Sequence, residues 1–149
     1  MEVRLITNKS EWEDFVLSQN YSLFVQSFHY GEFYEAIGEQ SWIFGVYNTE
    51  KLVGGSLVVS THAKRGNFLY LPYGPIGIGE EYLFSYLKKF AIENKYDFVR
   101  CSPFWKVEDE KNGVLKQAGF RQAPMHILAE NTWILNLEKT EEQLLSQME

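Results

Sequence analysis

The sequence contains a single cysteine, Cys101, and no apolar run long enough to cross a membrane. One cysteine cannot form an intramolecular disulfide, and this usage is typical of proteins from reducing compartments. A membrane-spanning helix needs about 18 or more consecutive apolar residues. The first residues, Met1 to Arg4, also lack the charged and then apolar plan of a signal peptide. We therefore expect a soluble, cytosolic protein with no integral membrane segment.

Positive charge is scarce, with 14 Lys and Arg residues against 20 Asp and Glu and a net charge of -6. The basic residues are scattered, and only Lys64-Arg65 and Lys88-Lys89 are adjacent pairs. Nucleic-acid surfaces depend on clustered Lys and Arg that neutralise phosphates. We therefore do not expect a stand-alone nucleic-acid binder.

Motifs for metal binding and for nucleophilic catalysis are also missing. His29, His62 and His126 are far apart, and neither Cys-x-x-Cys nor Gly-x-Ser-x-Gly occurs. Cys101 falls on a predicted buried strand, where a thiol packs as a core residue. We expect no metal site, and no catalytic residue can be named.

Hydrophobic residues make up 45% of the 149 positions and aromatic residues 16%, which predicts one domain with a buried core. The spacing predicts a strand at 3–6 and a helix that begins with a capping box of Ser10 and Glu13. A second helix ends at Gly38, and its predicted apolar face consists of Tyr30, Phe33, Tyr34 and Ile37.

Three strands at 42–47, 52–62 and 67–71 follow, joined by short turn-forming segments, and they predict an antiparallel meander. Gly54-Gly55 inside the second strand predicts a bulge or the close approach of another segment. The third strand then runs into an elbow at 69–79, Leu-Tyr-Leu-Pro-Tyr-Gly-Pro-Ile-Gly-Ile-Gly. Elbows of this kind are typical ligand sites in α/β folds, although a rigid turn with packed tyrosines is the alternative.

After the elbow, the pattern predicts a helix at 80–94, a buried strand at 97–101 and a helix at 108–118. Two strands at 120–128 and 132–137 come next. The last helix begins with a capping box of Thr140 and Gln143, and it reaches residue 149 without a glycine cap. We therefore expect residues 140–149 to be the start of a truncated helix that continues in related chains.

This order of elements resembles that of the GNAT acetyltransferases. The resemblance implies an α/β (α+β) fold with a mixed sheet, mostly an antiparallel meander with one parallel strand pair, and helices on both faces. In those enzymes a glycine-rich elbow binds the pyrophosphate of coenzyme A. Gly77-Ile78-Gly79 matches it, but Gly74 stands where a basic or amide residue is required, and Glu80-Glu81 place negative charge at the helix start. We therefore expect no bound cofactor.

A more specific series of motifs resembles the first half of the FemA/FemB/FemX family, the peptidoglycan bridge-forming aminoacyltransferases. The series comprises Phe24-Val25-Gln26-Ser27, Tyr30-Gly31-Glu32-Phe33, Tyr70-x-Pro72-x-Gly74-Pro75, Arg100-x-x-Pro103, Gly119-Phe120, Ala123-Pro124-Met125-His126, Thr132-Trp133-x-Leu135-x-Leu137 and Glu141-Glu142-x-Leu144-Leu145. The resemblance implies that residues 1–149 form one GNAT-like domain, the first of two acetyltransferase-like halves. It also implies a location in the bacterial cytoplasm or at the inner face of the membrane.

Proteins of this family transfer an amino acid from an aminoacyl-tRNA to the stem-peptide amine of a muramyl-peptide precursor. The resemblance implies that this half binds the precursor, UDP-linked or lipid-linked, and that aminoacyl-tRNA would be bound only with a missing second half. The isolated chain would then lack part of the active site. Whether the chain forms a homo-oligomer stays open.

Carried over to this sequence, Tyr70 matches a tyrosine that faces the precursor, and Gly74-Pro75 match the turn beside it. Tyr34 stands where the family often has a phosphate-binding lysine, and Tyr73 where it has Arg or Lys, so a weaker grip on phosphate is expected. Arg100 either reaches the cleft or pairs with an acidic residue. The candidate substrate-binding residues are Tyr30, Tyr34, Tyr70, Tyr73, Gly74, Pro75 and Arg100.

Two other functions stay open at this point. One is a small coenzyme A-dependent N-acetyltransferase, which the elbow disfavours. The other is a non-catalytic interaction module whose protein-facing aromatic patch consists of Tyr30, Tyr34, Tyr70 and Tyr73.

Overall fold

The computed structural model describes residues 1–20, 23–105, 112–129, 135–136 and 138–147. Its strands are β1 Glu2–Leu5, β2 Ser41–Asn48, β3 Lys51–Ala63, β4 Gly66–Tyr73, β5 Ile76–Gly77 and β6 Phe98–Pro103. Its helices are α1 Lys9–Leu17, α2 Phe28–Ala36, α3 Glu80–Glu93, α4 Asn112–Gln117 and α5 Glu141–Leu145. A 3₁₀ turn, Phe24–Gln26, links α1 to α2. In the parts of the chain described, no helix is long and apolar enough to cross a membrane.

The strands form one mixed sheet in the order β1-β2-β3-β4-β6, with β5 paired to β3. Every pairing is antiparallel except that of β4 with β6, in which residues 68–73 run parallel to residues 98–103. Helix α3 packs on one face of the sheet, and α1 and α2 pack on the other. The predicted fold class, a meander with one parallel pair and helices on both faces, is confirmed.

Two hydrophobic cores lie on opposite faces because successive strand residues point to opposite sides. Val58 points toward α3, whereas its neighbours Leu57 and Val59 point toward α1 and α2. The α3 core consists of Phe44, Val46, Val58, Leu69, Leu71, Leu83, Phe84, Leu87 and Ala91. The α1 and α2 core consists of Ile6, Trp12, Val16, Ile43, Tyr47, Leu57 and Val59.

Gly54 and Gly55 lie where the elbow returns onto β3, so the prediction made for this pair is confirmed. The pairing of β2 with β3 shifts register between Val46 and Tyr47, and β5 pairs with both glycines. A Cβ atom on Gly54 would lie 2.0 Å from the carbonyl oxygen of Ile78. Only glycine therefore lets the elbow approach β3 this closely.

Gln26 joins two strands at the point where they separate. The pairing of β3 with β4 ends at Val59 and Tyr70. Beyond that point, the Gln26 Nε2 donates to the carbonyl oxygen of Pro72 on β4, and its Oε1 accepts from the backbone N–H of Leu57 on β3 at 2.9 Å. The Gln26 side chain is fully buried. It therefore supplies the hydrogen bonds that these two strands no longer make to each other.

The cap of helix α1 lies two residues before the predicted Ser10 cap, so the predicted Ser10–Glu13 capping box is wrong. The cap is Asn8, whose side chain accepts from the N–H of Glu11 at 3.3 Å. Asparagine and serine are similarly good caps, and the sequence pattern alone does not choose between them. Glu13 instead accepts from the backbone N–H of Phe28 at 2.6 Å and so ties α1 to α2.

The predicted apolar face of α2 is only partly covered. Tyr30 and Tyr34 are half-buried, but Phe33 is 51% exposed and Ile37 is 60% exposed. The helix approaches the sheet through the buried Gly31, whose Cβ would lie 2.9 Å from the Ser41 Oγ. The close packing of this glycine turns Phe33 and Ile37 toward the surface.

The predicted strand at 120–128 is wrong, because residues 120–129 have no helix or strand structure. Their carbonyl groups instead accept from side chains: Met125 from Arg100 and Ala129 from Tyr73. Strand β6 is also less buried than predicted, since among the described residues it is the last strand of the sheet and Phe98 is 40% exposed.

At the C-terminal end, the Thr140–Gln143 capping box is confirmed. The predicted strand at 132–137 lies largely outside the described residues, and so do residues 108–111 of the predicted helix at 108–118 and residues 148–149 of the last helix.

Replacing Gln26 with leucine should destabilise the protein strongly, because the backbone N–H of Leu57 and the carbonyl of Pro72 would both stay buried without a partner. At ~1–3 kcal/mol for each unsatisfied buried group, we expect a loss of about 2–5 kcal/mol in the free energy of unfolding, measured with urea. Gln19→Leu is the matched control, since among the described residues the Gln19 amide bonds to Phe15 of α1 and to Ser18 in the turn that follows it. Equal losses in the two variants would contradict the proposed role of Gln26.

A second prediction concerns pH. Burial alone would raise the pKa of the Glu39 carboxyl group. Hydrogen bonds from His62 and Ser60, both at 2.9 Å, lower the pKa by more than burial raises it, so it lies below its usual 4.5. A lowered carboxyl pKa stabilises the fold above the unfolded value, and this stabilisation is lost as the pH falls through the folded value. Glu39→Gln should therefore be less stable than the parent at pH 7, and the difference should shrink as the pH falls below the usual 4.5 and disappear once the folded carboxyl group is protonated.

Urea unfolding at several pH values measures this difference. The exposed Glu93, on α3, provides the control Glu93→Gln, whose effect should not follow this pH dependence. A Glu39→Gln deficit that persists unchanged into acid would contradict the assignment.

Candidate functional site

Four of the nominated side chains lie on the sheet face that carries α2, and a fifth, Tyr73, lies at the end of β4. Tyr70 and Arg100 are register neighbours in the parallel pair of β4 and β6, so they point to the same side of the sheet. Tyr30 and Tyr34 lie on α2 and pack against the core that contains Val59, the register partner of Tyr70. Tyr73 follows at the end of β4. We call this group, Tyr30, Tyr34, Tyr70, Tyr73 and Arg100, the tyrosine face.

Tyr70 is the innermost residue of the tyrosine face, with only 1% of its surface exposed. Its hydroxyl makes no hydrogen bond of normal geometry in the described part of the chain, although the Ser102 side chain lies close enough to influence its pKa. Burial raises the pKa of Tyr70 to about 12, although the nearby Ser102 hydroxyl and the Arg100 charge oppose the rise. A buried hydroxyl without a partner is uncommon in native proteins and marks a place where an acceptor would be favourable.

Tyr30 and Tyr34 stand edge to face, with ring centroids 5.2 Å apart. Burial and the neighbouring Tyr30 hydroxyl raise the pKa of Tyr34 well above its usual value of 10. The hydroxyls of Tyr34 and Tyr70 therefore stay protonated at neutral pH. They can donate hydrogen bonds to a carbonyl, hydroxyl or anionic oxygen, but they are poor bases.

Tyr73 occupies a left-handed backbone conformation, with φ at 51°. Such a conformation is unfavourable for a residue with a Cβ atom and is found where the surrounding structure imposes it. The Tyr73 ring contacts Phe104 at 5.4 Å between centroids, and its hydroxyl donates to the carbonyl of Ala129 at 3.1 Å. The side chain is thus held over the end of β4.

Gly74 and Pro75 shape the bend beneath the tyrosine face. Both are buried, and the peptide bond between them is cis. A Cβ atom on Gly74 would lie 2.1 Å from the Ser56 Oγ and 2.9 Å from the Gln26 Nε2. These two residues therefore position the bend against the buried Gln26. Because both are buried, they can make little direct contact with a ligand.

Arg100 is half-buried and donates to the backbone carbonyl of Met125. None of the ion pairs found among the described residues includes it. A guanidinium group fits a carboxylate or phosphate better than a single neutral carbonyl. Arg100 is therefore the cationic group of this face.

The elbow does not fit the pyrophosphate of coenzyme A. The backbone N–H of Ile78 donates to the carbonyl of Val53 at 3.0 Å, and Gly77 is paired with Gly54 of β3. Helix α3 then opens with Glu80 and Glu81, whose negative charge opposes an anion at that helix end. The amide that faces β3 and the two carboxylates thus disfavour a bound nucleotide.

Other reactive groups offer little chemistry. Within the described ranges, no three His, Cys, Asp or Glu side chains are grouped so that they could hold a metal ion. Burial raises the pKa of Cys101 to about 12, so its thiol stays protonated and is a poor nucleophile.

A mostly apolar surface groove of about 490 Å³ lies between α1 and α2, beside the tyrosine face. Of the nominated residues, Tyr30 lines it. Phe24, which is 75% exposed, contributes a second ring whose centroid lies 5.6 Å from that of Tyr30. The other lining residues are Glu13, Val16, Leu17, Leu23, Ser27 and His29.

The site residue that sequence reasoning missed is Gln26. It lies within the motif Phe24-Val25-Gln26-Ser27, but it was treated only as part of the resemblance. The available signal was a long amide side chain directly before Ser27, the N-cap of α2, in an otherwise apolar run. A polar residue in such a run is buried only when it has partners, and the identity of those partners is not readable from the sequence.

Comparison with known proteins gives consistent results. The family model described as "FemAB family" matches residues 7–148. Among solved structures, FemX is similar with a TM-score of 0.69 and 18% identity, over 81% of this chain and 32% of the FemX chain. No curated protein sequence matches.

Two further structures carry acetyltransferase titles. A probable acetyltransferase matches with a TM-score of 0.56 and 16% identity, over 91% of this chain and 99% of its own. A possible acetyltransferase from Clostridium difficile 630 matches with a TM-score of 0.57 and 12% identity, over 89% and 98%. These identities show the fold alone, whereas the family model covers nearly the whole sequence. The chain belongs to the FemAB family.

Proposed function

We propose that this chain is the precursor-binding first half of an aminoacyltransferase that forms peptidoglycan bridges. Family membership supports the reaction class. The chain covers 32% of the length of FemX, so the activity, substrates and partners of a whole protein belong to this proposal. The proposed ligand is a muramyl-peptide precursor, and aminoacyl-tRNA would be bound together with a second half.

The observation that carries the proposal is the tyrosine face itself. It combines protonated hydroxyl donors with one guanidinium group at the end of the parallel strand pair. A muramyl peptide presents amide carbonyls, hydroxyls and anionic groups, which are the acceptors that such donors bind. The apolar groove beside Tyr30 would accommodate less polar parts of the same ligand.

The same donor set indicates a weak grip on phosphate. Tyr34 and Tyr73 stand where the family often has cationic residues, and a tyrosine donates one hydrogen bond without adding charge. Recognition by this half would then rest more on the peptide and sugar than on the diphosphate.

The transfer itself needs little acid–base chemistry from this half. The stem-peptide amine attacks the carbonyl carbon of the aminoacyl ester, an amide bond forms, the ester C–O bond breaks, and the tRNA hydroxyl leaves. Much of the rate enhancement can come from holding the amine near the activated ester. The tyrosine face would hold the acceptor, and a second half would hold the donor.

Calorimetry with a UDP-linked muramyl pentapeptide tests the proposal. We expect measurable binding at millimolar ligand or below, and Tyr30→Ala should weaken it about tenfold, ~1.4 kcal/mol, because this ring joins the groove to the tyrosine face. Tyr82→Ala is the matched control, since Tyr82 is an exposed tyrosine on α3, on the opposite side of the sheet. Absence of heat from the parent chain, or equal weakening in both variants, would refute the proposed binding face.

The alternative is a small coenzyme A-dependent N-acetyltransferase. It is favoured by the close match in length between this chain and the two structures described as acetyltransferases. The elbow geometry opposes it. We expect millimolar acetyl-CoA to leave the melting temperature unchanged, while the muramyl pentapeptide raises it through binding to the folded state. A rise with acetyl-CoA alone would favour the acetyltransferase.

A protein-facing patch formed by all four tyrosines is not compatible with the structure, because Tyr70 is buried. The exposed aromatic rings near α2 are those of Phe24 and Phe33.

A further inference from the structure

We propose that residues 121–129 act as a latch that closes the tyrosine face, and that an anionic group bound by Arg100 releases it. This inference deepens the proposed function and rests on it for the identity of the natural ligand. The latch itself is a property of the described chain, and it can be tested separately.

The latch is held by the donors that the proposed ligand needs. Arg100 donates to the carbonyl of Met125, and Tyr73 donates to the carbonyl of Ala129 at 3.1 Å. The Arg65 guanidinium also lies 3.9 Å from the Met125 sulfur. Residues 121–129 thus occupy the outward side of Arg100 and Tyr73 with their own backbone.

The latch is also weakly anchored. Residues 121–129 have no helix or strand structure, and the side chains of Met125 and Ile127 point largely into solvent. Segments with few buried apolar contacts and exposed hydrogen bonds open at low free-energy cost. The polar contacts to Arg100 and Tyr73 are therefore among the contacts that keep this segment in place.

An anion competes well for these donors. The bond from Arg100 to Met125 joins a charged donor to a neutral acceptor, whereas a carboxylate or phosphate can accept two parallel N–H bonds from one guanidinium group. Behind Arg100, the buried Tyr70 hydroxyl makes no hydrogen bond of normal geometry in the described chain, and it would gain an acceptor when a ligand oxygen enters. Both changes favour the open, ligand-bound form.

Thiol labelling measures the opening of the latch. Leu128 is half-buried and Ile127 is exposed, so Leu128→Cys reports release of the segment, while Ile127→Cys serves as the matched control. Both are made in a Cys101→Ser background, which removes the native thiol. Inorganic pyrophosphate and the dipeptide alanyl-alanine are the two anionic probes, at an ionic strength matched with sodium chloride.

We expect at least one probe to speed the labelling of Leu128→Cys several-fold and to leave Ile127→Cys unchanged. Pyrophosphate acting alone would identify phosphate as the releasing group, and the dipeptide acting alone would identify carboxylate. Adding Arg100→Gln should speed the labelling of Leu128→Cys about tenfold without any probe, and it should abolish the response to the probe. Tyr73→Phe, which removes one hydroxyl, should give a smaller increase of about threefold.

Release by an anion is overturned if neither probe changes the labelling of Leu128→Cys. The latch itself is overturned if Arg100→Gln and Tyr73→Phe both leave the labelling at the parent rate. Calorimetry with the UDP-linked muramyl pentapeptide separates this result from the proposed function. A precursor that binds without speeding the labelling refutes the latch and keeps the function. Release by a probe, with no heat from the precursor, keeps the latch and refutes the function.

Discussion

The structure depends on one buried amide, that of Gln26, at the point where β3 and β4 separate. A mixed sheet can hold a ligand at such a point only if the strands part, and parting leaves backbone groups unpaired inside the protein. Gln26 satisfies one such group on each strand, while its own backbone carbonyl accepts from the Trp12 Nε1 at 2.6 Å. Gln26 thereby links α1 through its backbone carbonyl and both strands through its side chain, and it fixes the bend on which the tyrosine face is built.

Two glycines are required beside Gln26 and β3, because at each of them the chain packs so closely against its neighbours that a Cβ atom would clash. Gly74 lies against Gln26 and Ser56, and Gly54 lies against Ile78. The elbow is therefore pressed onto β3, and the Ile78 amide, which could otherwise face a nucleotide, is used by Val53. One set of contacts both opens the sheet beside Tyr70 and disfavours the pyrophosphate of coenzyme A. This explains how the chain shares its fold with structures described as acetyltransferases while its elbow is poorly suited to coenzyme A.

The features that follow from local sequence patterns could be predicted from the sequence, whereas the features that depend on tertiary contacts could not. The meander, the Gly54-Gly55 approach and the Thr140 capping box follow from spacing and turn chemistry, and each is present. The start of α1 was misplaced because Asn8 and Ser10 are both good caps. Residues 120–128 have the composition of a strand, yet they form none, and the carbonyls of Met125 and the following Ala129 accept from the Arg100 and Tyr73 side chains. The placement of the candidate residues on one face came from the resemblance and was not readable from their spacing.

Charge determines how the tyrosine face can work. The chain carries a net charge of -6, and Arg100 is the single charged member of the face. An anionic ligand must therefore be attracted mainly by the Arg100 guanidinium group, which already donates to the backbone carbonyl of Met125. When the binding-competent form is a fraction of the population, the apparent dissociation constant rises by the inverse of that fraction. Ligand affinity at this face would then depend on how stably residues 121–129 stay closed as well as on the ligand contacts. Arg100→Gln removes both the attraction for an anion and a contact that holds the latch closed. Tyr73→Phe weakens only the closed form of the latch and keeps the positive charge.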